Sequence, residues 1–383
     1  MKATDVATAA LAGAPVIESV EVREVCVPGE AHNRITTTYG TVPDAHFALV
    51  LVRAGGVTGV GEASTERWWT GEDAASVRHS VEQFFAPELT GKAVGSRQAT
   101  RLMDGAAVGH PYAKAAVEIA LWDLLGKLAG QPLYVLLGGG DPAPIPIKYV
   151  IGIGSPEHLR DEVAFGRELG FSYFKTKVGT VLSEDLERVS TLMALLGDGE
   201  SLGVDAQAGW PPVTALAALR PLADFGVSFL EQPVSPALPE AMSALTARGE
   251  IPIVAHESIT SVRSGLDAVT GGIAHIWAIT PSTHGGIGPT LDLLSLARVA
   301  GIGCLLGSNI ELGVSTAMMT QLAAAFDEFR ACPVPSDIIG PLYHADDIVL
   351  QRPEITNGHI DVPSGPGLGV ELDWDKVRHY EVR

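Results

Sequence analysis

Between residues 147 and 340 the chain repeats one theme, a short apolar run rich in β-branched residues followed by a stretch of helical period. The runs are "IKYVIGI", "YFKTKVG", "LGVDAQAG", "VSFLEQP", "IPIVAHES", "HIWAITPS", "GCLLGSN" and "SDIIG". Strands that alternate with helices imply βαβ units and one parallel sheet. Eight such units over about 200 residues imply a sheet closed into a barrel. Polar residues recur at the ends of these runs, one βα unit apart: Asp205 lies 28 residues beyond Lys177, Glu231 a further 26, His256 a further 25 and Thr280 a further 24. In a parallel barrel the C-terminal ends of the strands meet at one mouth, so residues this far apart in sequence can share a site.

Upstream the pattern differs. Residues 17 to 65 alternate apolar and polar positions and break at Gly and Pro, as antiparallel strands do, and residues 74 to 137 switch to a helical period. The stretch "AKAAVEIALWDLLGKLAG" (113 to 130) reads as an amphipathic helix of strong helix formers. "GGGDPAPIP" (138 to 146) is a connector, so the chain divides into an α+β region over residues 1–140 and a barrel over 141–352, with the segment 353–383 expected to pack back on the first region. The fold class expected is α/β, a (β/α)7β TIM-like barrel with an N-terminal α+β capping domain.

Composition narrows the partners. With 46% hydrophobic and 19% charged residues the chain is globular, and 26 basic against 45 acidic residues give a net charge of -19. That charge repels a phosphate backbone or an anionic membrane surface, so neither nucleic acid nor membrane is expected as a partner. Cys26, Cys304 and Cys332 are too few and too scattered for a disulfide framework and read as reduced thiols. The first fifteen residues lack the apolar run of a secretory signal, and no window is long enough to span a membrane. A cytoplasmic location is the expectation.

The strand ends supply the chemistry. Asp205 and Glu231 on adjacent strands would repel unless a divalent cation or a proton relieved them; alternatively both are solvated rim carboxylates. Lys175 and Lys177, two apart on one strand, point to the same side. Ammonium groups this close depress each other's pKa, which would let one work as a base near neutrality.

The ordered motifs "FKTKVG", "VDAQAGW", "LEQP", "GSNIELGVSTA" and "GPGLGVELD", with the passage "AKAAVEIALWDLLGKLAGQPLYVLLGG", resemble the muconate lactonizing branch of the enolase superfamily from about residue 17 to the C-terminus. The resemblance implies a divalent metal, usually Mg²⁺, held by acids at the ends of the third, fourth and fifth strands. It also implies a base that removes the α-proton of a small-molecule carboxylate to give an enediolate. Asp205 and Glu231 match the first two ligands, Lys177 the acid/base and Lys175 its electrostatic partner. No nucleotide or organic cofactor is implied, and family members are commonly homo-oligomers.

Two positions depart from that pattern. "AHES" stands where the family writes "ADES", putting His256 in the place of the third carboxylate, and Thr280 stands where the sixth strand usually brings a second lysine. His256 can ligate a nitrogen-tolerant metal such as Mn²⁺, point away and leave a two-carboxylate site, or act as an acid. A threonine hydroxyl is no base near neutrality, so two-base racemisation is disfavoured while one-base reactions remain open. Further candidates for substrate contact are His284 after the sixth strand, Asn309 and Glu311 after the seventh, Asp337 at the eighth, and Tyr39, Arg67, Trp68 and Trp69 in two N-terminal loops, residues 33 to 41 and 63 to 73. The function expected is a metal-assisted, one-base lyase or cycloisomerase. Two alternatives stand beside it, a divergent barrel that binds a small acid or a partner without turnover, and a metal-independent cyclisation or elimination using His256 as the acid.

Overall fold

In the computed structural model of the protein, residues 16–30, 36–38, 40–41, 44–93, 95–140 and 142–382 are described. The alternating N-terminal runs form an antiparallel sheet, β1 (Ile17–Pro28), β2 (Asp44–Ala54) and β3 (Val57–Ser64), with β2 in the centre. Gly55 and Gly56, at φ 59° and 74°, make the two-residue turn between β2 and β3. Positive φ at both positions matches the twist of the strands it joins. The helices beyond this sheet include the short α1 (Arg67–Thr70), just after β3, and the long α2 (Pro111–Ala129).

The expectation of an amphipathic α2 is corrected. Residues 112–121 are all buried, because β3 covers one side of the helix and a barrel helix covers the other. A helix clamped between two layers has no solvated stripe to display. Its approach to β3 needs glycine: a Cβ on Gly61 would lie 2.0 Å from the Ala116 carbonyl oxygen, and one on Gly59 2.1 Å from that of Ala120.

The apolar runs after residue 147 form seven parallel strands in sequential order, β4 (Tyr149–Ile151), β5 (Tyr173–Lys177), β6 (Ser201–Asp205), β7 (Leu230–Glu231), β8 (Ile253–Ala255), β9 (Ile276–Ile279) and β10 (Gly303–Leu306). The eighth run, "SDIIG", closes the ring without forming a full strand. The Asp337 amide donates to the Leu306 carbonyl (2.8 Å), the Lys148 amide donates to the Ser336 carbonyl (3.1 Å), and Ile147 bridges Ser336 in parallel. Two backbone bonds and a bridge suffice where both neighbours are already fixed. The chain end returns to the first sheet, with Val382 donating to the Glu24 carbonyl (2.9 Å) and Glu381 bridging Val25.

The barrel helices include α3 (Pro281–His284), α4 (Ile287–Ala300) and α5 (Gly313–Ala325). Buried carboxylates join the N-terminal layer to the barrel at two of them. Glu62 accepts from the amides of Leu312 (2.8 Å) and Ser315 (3.1 Å) at the start of α5. Glu118 accepts from those of Ile287 (2.8 Å) and Gly288 (3.2 Å) at the start of α4. Helix N-termini present unpaired amides and a positive dipole end, so carboxylates are their natural partners. Burial outweighs those bonds, however, and raises Glu62 to about 8 and Glu118 to about 7. Among the described residues no helix is long and apolar enough to cross a membrane.

Candidate active site

The strand register sets the side chains next to one another. Lys177 pairs with Asp205, and Asp205 with Glu231, across β5, β6 and β7, while His256 follows β8 directly. Lys175 is buried among three carboxylates, with its Nζ 2.8 Å from Asp337, 3.1 Å from Glu231 and 3.7 Å from Asp205. Lys177 Nζ lies 2.7 Å from Asp205 Oδ2. His256 Nδ1 lies 2.9 Å from Glu231 Oε1, and its Nε2 2.8 Å from the Thr280 hydroxyl.

The electrostatics correct one expectation. Burial pulls the Lys175 pKa down, but Asp337, Glu231 and Asp205 together outweigh it and hold the ammonium well above the usual lysine range. Mutual depression of the two lysines is overridden at Lys175 because carboxylates enclose it. Burial likewise opposes the charge of His256, and contact with Glu231 reverses the sign, so the imidazole sits above the ordinary histidine value. Glu231 is held low: its burial is outweighed by Lys175 and His256.

A cavity of about 650 Å³ opens over this cluster, within the range that takes a small organic ligand. Asp205, Lys175, Lys177, His256 and Asp337 form its floor. The N-terminal layer supplies the roof through α1, where Arg67 lies over the Trp68 ring (4.4 Å) and Trp69 meets the His256 ring edge-on at 4.4 Å. Thr38 reaches down to Gln207, whose side-chain oxygen accepts from its amide (3.1 Å) and hydroxyl (3.2 Å). Asn309 lines the cavity and donates to the Tyr112 hydroxyl (2.6 Å). The backbone just beyond the strand ends is strained, with positive φ at Gln207, Ala208, Gln232 and Ile310. Strain of this kind persists where surrounding structure over-determines it, and functional sites are where it collects.

Four candidates lie off the cavity wall, and one of them, Glu231, is fully buried against Lys175 and His256. Thr280 is fully buried behind His256. His284 has its ring nitrogens against the carbonyls of Thr280 and Ile259, which oppose the burial that pulls its pKa down to about 4, and the ring is spent on the backbone instead of facing the cavity. Glu311 folds onto its own loop, accepting from the Ser308 hydroxyl (2.5 Å) and the Asn309 amide (2.8 Å). Tyr39 lies outside the described residues.

Other residues at the site went unselected in the sequence. Lys148 is fully buried, 3.1 Å from Asp337, and a lysine inside the apolar run "IKYVIGI" was a usable signal. Glu257 and Glu66 both line the cavity, and burial raises each to about 7 against the pull of neighbouring cations. Glu257 Oε2 is buried without a hydrogen-bond partner among the described residues. Neither glutamate carried a signal, since an acid beside a strand end is common.

The expected metal set does not converge here. Asp205 spends Oδ1 on the Gln207 amide (2.9 Å) and Oδ2 on Lys177, and both ring nitrogens of His256 face partners. Among the described residues no group of three or more His, Cys, Asp or Glu side chains is placed to hold a metal ion.

A capped barrel with lysines and carboxylates gathered at the C-terminal strand ends defines an enzyme of the enolase type. Residues 19–138 match the profile "Mandelate racemase / muconate lactonizing enzyme, N-terminal domain", and residues 158–376 match "Enolase C-terminal domain-like". The chain belongs to this family of the enolase superfamily, in its muconate lactonizing branch. It is 31% identical over 372 residues to a chloromuconate cycloisomerase of Pseudomonas putida, covering 95% of this chain and 98% of that one. It is 30% identical to an N-succinyl-L-Arg/Lys racemase of Bacillus cereus, covering 91% and 94%. Among solved structures, muconate lactonizing enzyme from Pseudomonas fluorescens complexed with muconolactone superposes with a TM-score of 0.92 at 28% identity, covering 96% of this chain and all of that one. Members of the family use a divalent metal, typically Mg²⁺.

Proposed function

We propose that the chain is a cycloisomerase that closes a lactone ring in an unsaturated carboxylate of the muconate kind, with Lys177 as the acid. The observation that carries this reading is the 2.7 Å ion pair between Lys177 and Asp205 on the cavity floor. The pair fixes the Lys177 amine on the cavity floor, where it would face a bound substrate. In the reaction, one carboxylate oxygen of the substrate adds to a carbon–carbon double bond, and the electron pair moves toward the other carboxylate as an enediolate. Lys177 then delivers its proton to the α-carbon and regains one from solvent, so the dianion becomes a lactone monoanion that keeps every substrate atom and gains one proton. Lys175, locked among Asp337, Glu231 and Asp205, supplies fixed positive charge beside the developing anion. The N-terminal layer, residues 1–140 with the returning C-terminal segment, serves as the cap of a catalytic barrel over 141–352.

Racemisation, the activity named for the Bacillus cereus relative, is disfavoured because the position that would carry the second lysine is Thr280, buried behind His256. Elimination of water with Lys177 as sole acid/base is the nearest competitor, and the name of the Pseudomonas putida relative favours ring closure over it.

The test is turnover of muconate and chloromuconates in D₂O. The product should carry one deuterium at the α-carbon, and Lys177→Ala should lower kcat by about 10²–10⁴-fold, the usual contribution of a general acid, while remaining folded by circular dichroism. Full activity in Lys177→Ala, or no consumption of any of these acids, overturns the reading.

A further inference from the structure

The two positions at which this chain leaves its family's pattern touch each other. His256 Nε2 and the Thr280 hydroxyl are 2.8 Å apart, although the residues lie on separate strand ends. The ring is also wedged. A Cβ on Gly307 would come within 2.4 Å of His256 Nε2 and 2.7 Å of Thr280 Oγ1, so only glycine leaves room beneath the pair, and Trp69 closes the other side. In this seat Nδ1 faces Glu231 Oε1 at 2.9 Å.

The two carboxylates expected as ligands are therefore each faced by other groups, while Glu257 Oε2 on the cavity wall has no hydrogen-bond partner among the described residues. Glu231 is met by His256 and Lys175, and Asp205 by Lys177, Lys175 and the Gln207 amide. Glu231 and Asp205 repel each other unless positive charge stands between them, and here the Lys175 and Lys177 ammonium groups lie against them. Turning His256 to offer a lone pair would break its contacts with Glu231 and Thr280 and drive the ring into Gly307 or Trp69.

We propose that the wedged His256–Thr280 pair, with Lys175 and Lys177, takes the place of the family's divalent cation, so that this barrel mouth holds a substrate carboxylate on side-chain cations and binds neither Mg²⁺ nor Mn²⁺ in stoichiometric amount. Cation binding is independent of the proposed reaction. Only the use of the charge, to hold an enediolate, rests on that reading.

The experiment is a titration of the purified full-length chain with Mn²⁺, followed by calorimetry and by the paramagnetic resonance of free Mn²⁺, with metal content by mass spectrometry. The wild type should show no saturable site up to about 1 mM Mn²⁺, the weak end of carboxylate sites. His256→Asp, which restores a third carboxylate and removes the wedge, should gain one site per chain, at least about tenfold tighter than any wild-type binding. Should that variant fail to fold by circular dichroism, the double variant His256→Asp with Thr280→Lys, which restores both family residues, serves in its place. A wild type that binds about one Mn²⁺ per chain, with the site lost in Glu231→Gln, overturns the proposal. A folded His256→Asp that gains no site overturns the assignment to His256. None of these readouts needs turnover, so absence of lactonising activity would remove the functional reading and leave this one standing.

Discussion

At the scale of single residues, Lys175 shows how a buried charge is tolerated. It is almost wholly enclosed, yet its ammonium touches Asp337 and Glu231 and lies near Asp205. Removing one partner of such a cluster leaves the others uncompensated in a low-dielectric site, at a cost of about 3–5 kcal/mol. Lys175→Met should therefore lower the midpoint of denaturant unfolding markedly, whereas Lys177→Met, at the better-exposed edge of the cluster, should lower it far less. Equal losses in the two variants would mean that the carboxylates do not depend on Lys175. Trp69 invites a second substitution. Because its ring meets His256 edge-on while lining the cavity, Trp69→Ala should raise KM several-fold and leave the melting temperature within a few degrees, checked by steady-state kinetics beside calorimetry.

At the scale of elements, the joint between β3 and α2 depends on what is missing. Gly59 and Gly61 let the strand lie against the carbonyls of Ala120 and Ala116 at distances no Cβ permits. Overpacking of a tight contact costs about 1–3 kcal/mol. Gly61→Ala should destabilise the chain by about that amount, read as a lower unfolding midpoint, and an unchanged midpoint would mean that the layers separate easily. The strand and helix pattern that formed these elements was legible in the sequence, because periods of two and of three to four reflect local geometry. The orientation of α2 was not. Its run of alanines reads as one apolar stripe, and only the barrel on its far side explains why residues 112–121 are buried all round.

At the scale of the whole molecule, Glu62 and Glu118 link folding stability to pH. Burial raises their folded pKa values to about 8 and about 7, above the ordinary value of 4.5 for a free glutamate. A carboxyl raised in this way binds its proton more tightly when folded. Its contribution is complete below the unfolded value and is lost as pH climbs through the folded one. Each group forfeits up to about 1.4 kcal/mol per pH unit across that window. The apparent melting temperature should fall between pH 5 and pH 8, and Glu118→Gln should flatten that fall. A melting temperature that rises over this range, or a variant with the wild-type slope, would show that these carboxylates do not couple the layers in this way.

The barrel, the order of its strands, and the gathering of Lys175, Lys177, Asp205, Glu231, His256 and Asp337 at one mouth were all legible in the order of the residues. Strand spacing converts directly into angular position around a closed sheet, so an interval of 24 to 28 residues is already a statement about proximity. What those residues do to one another was settled by packing in three dimensions. Which nitrogen of His256 faces Glu231, that Thr280 holds the other, that Glu311 turns back on its own loop and that His284 is spent on backbone carbonyls all depend on partners from distant strands. Strand position follows from local periodicity. The state of a charge follows from everything packed around it, and no stretch of sequence carries that information alone.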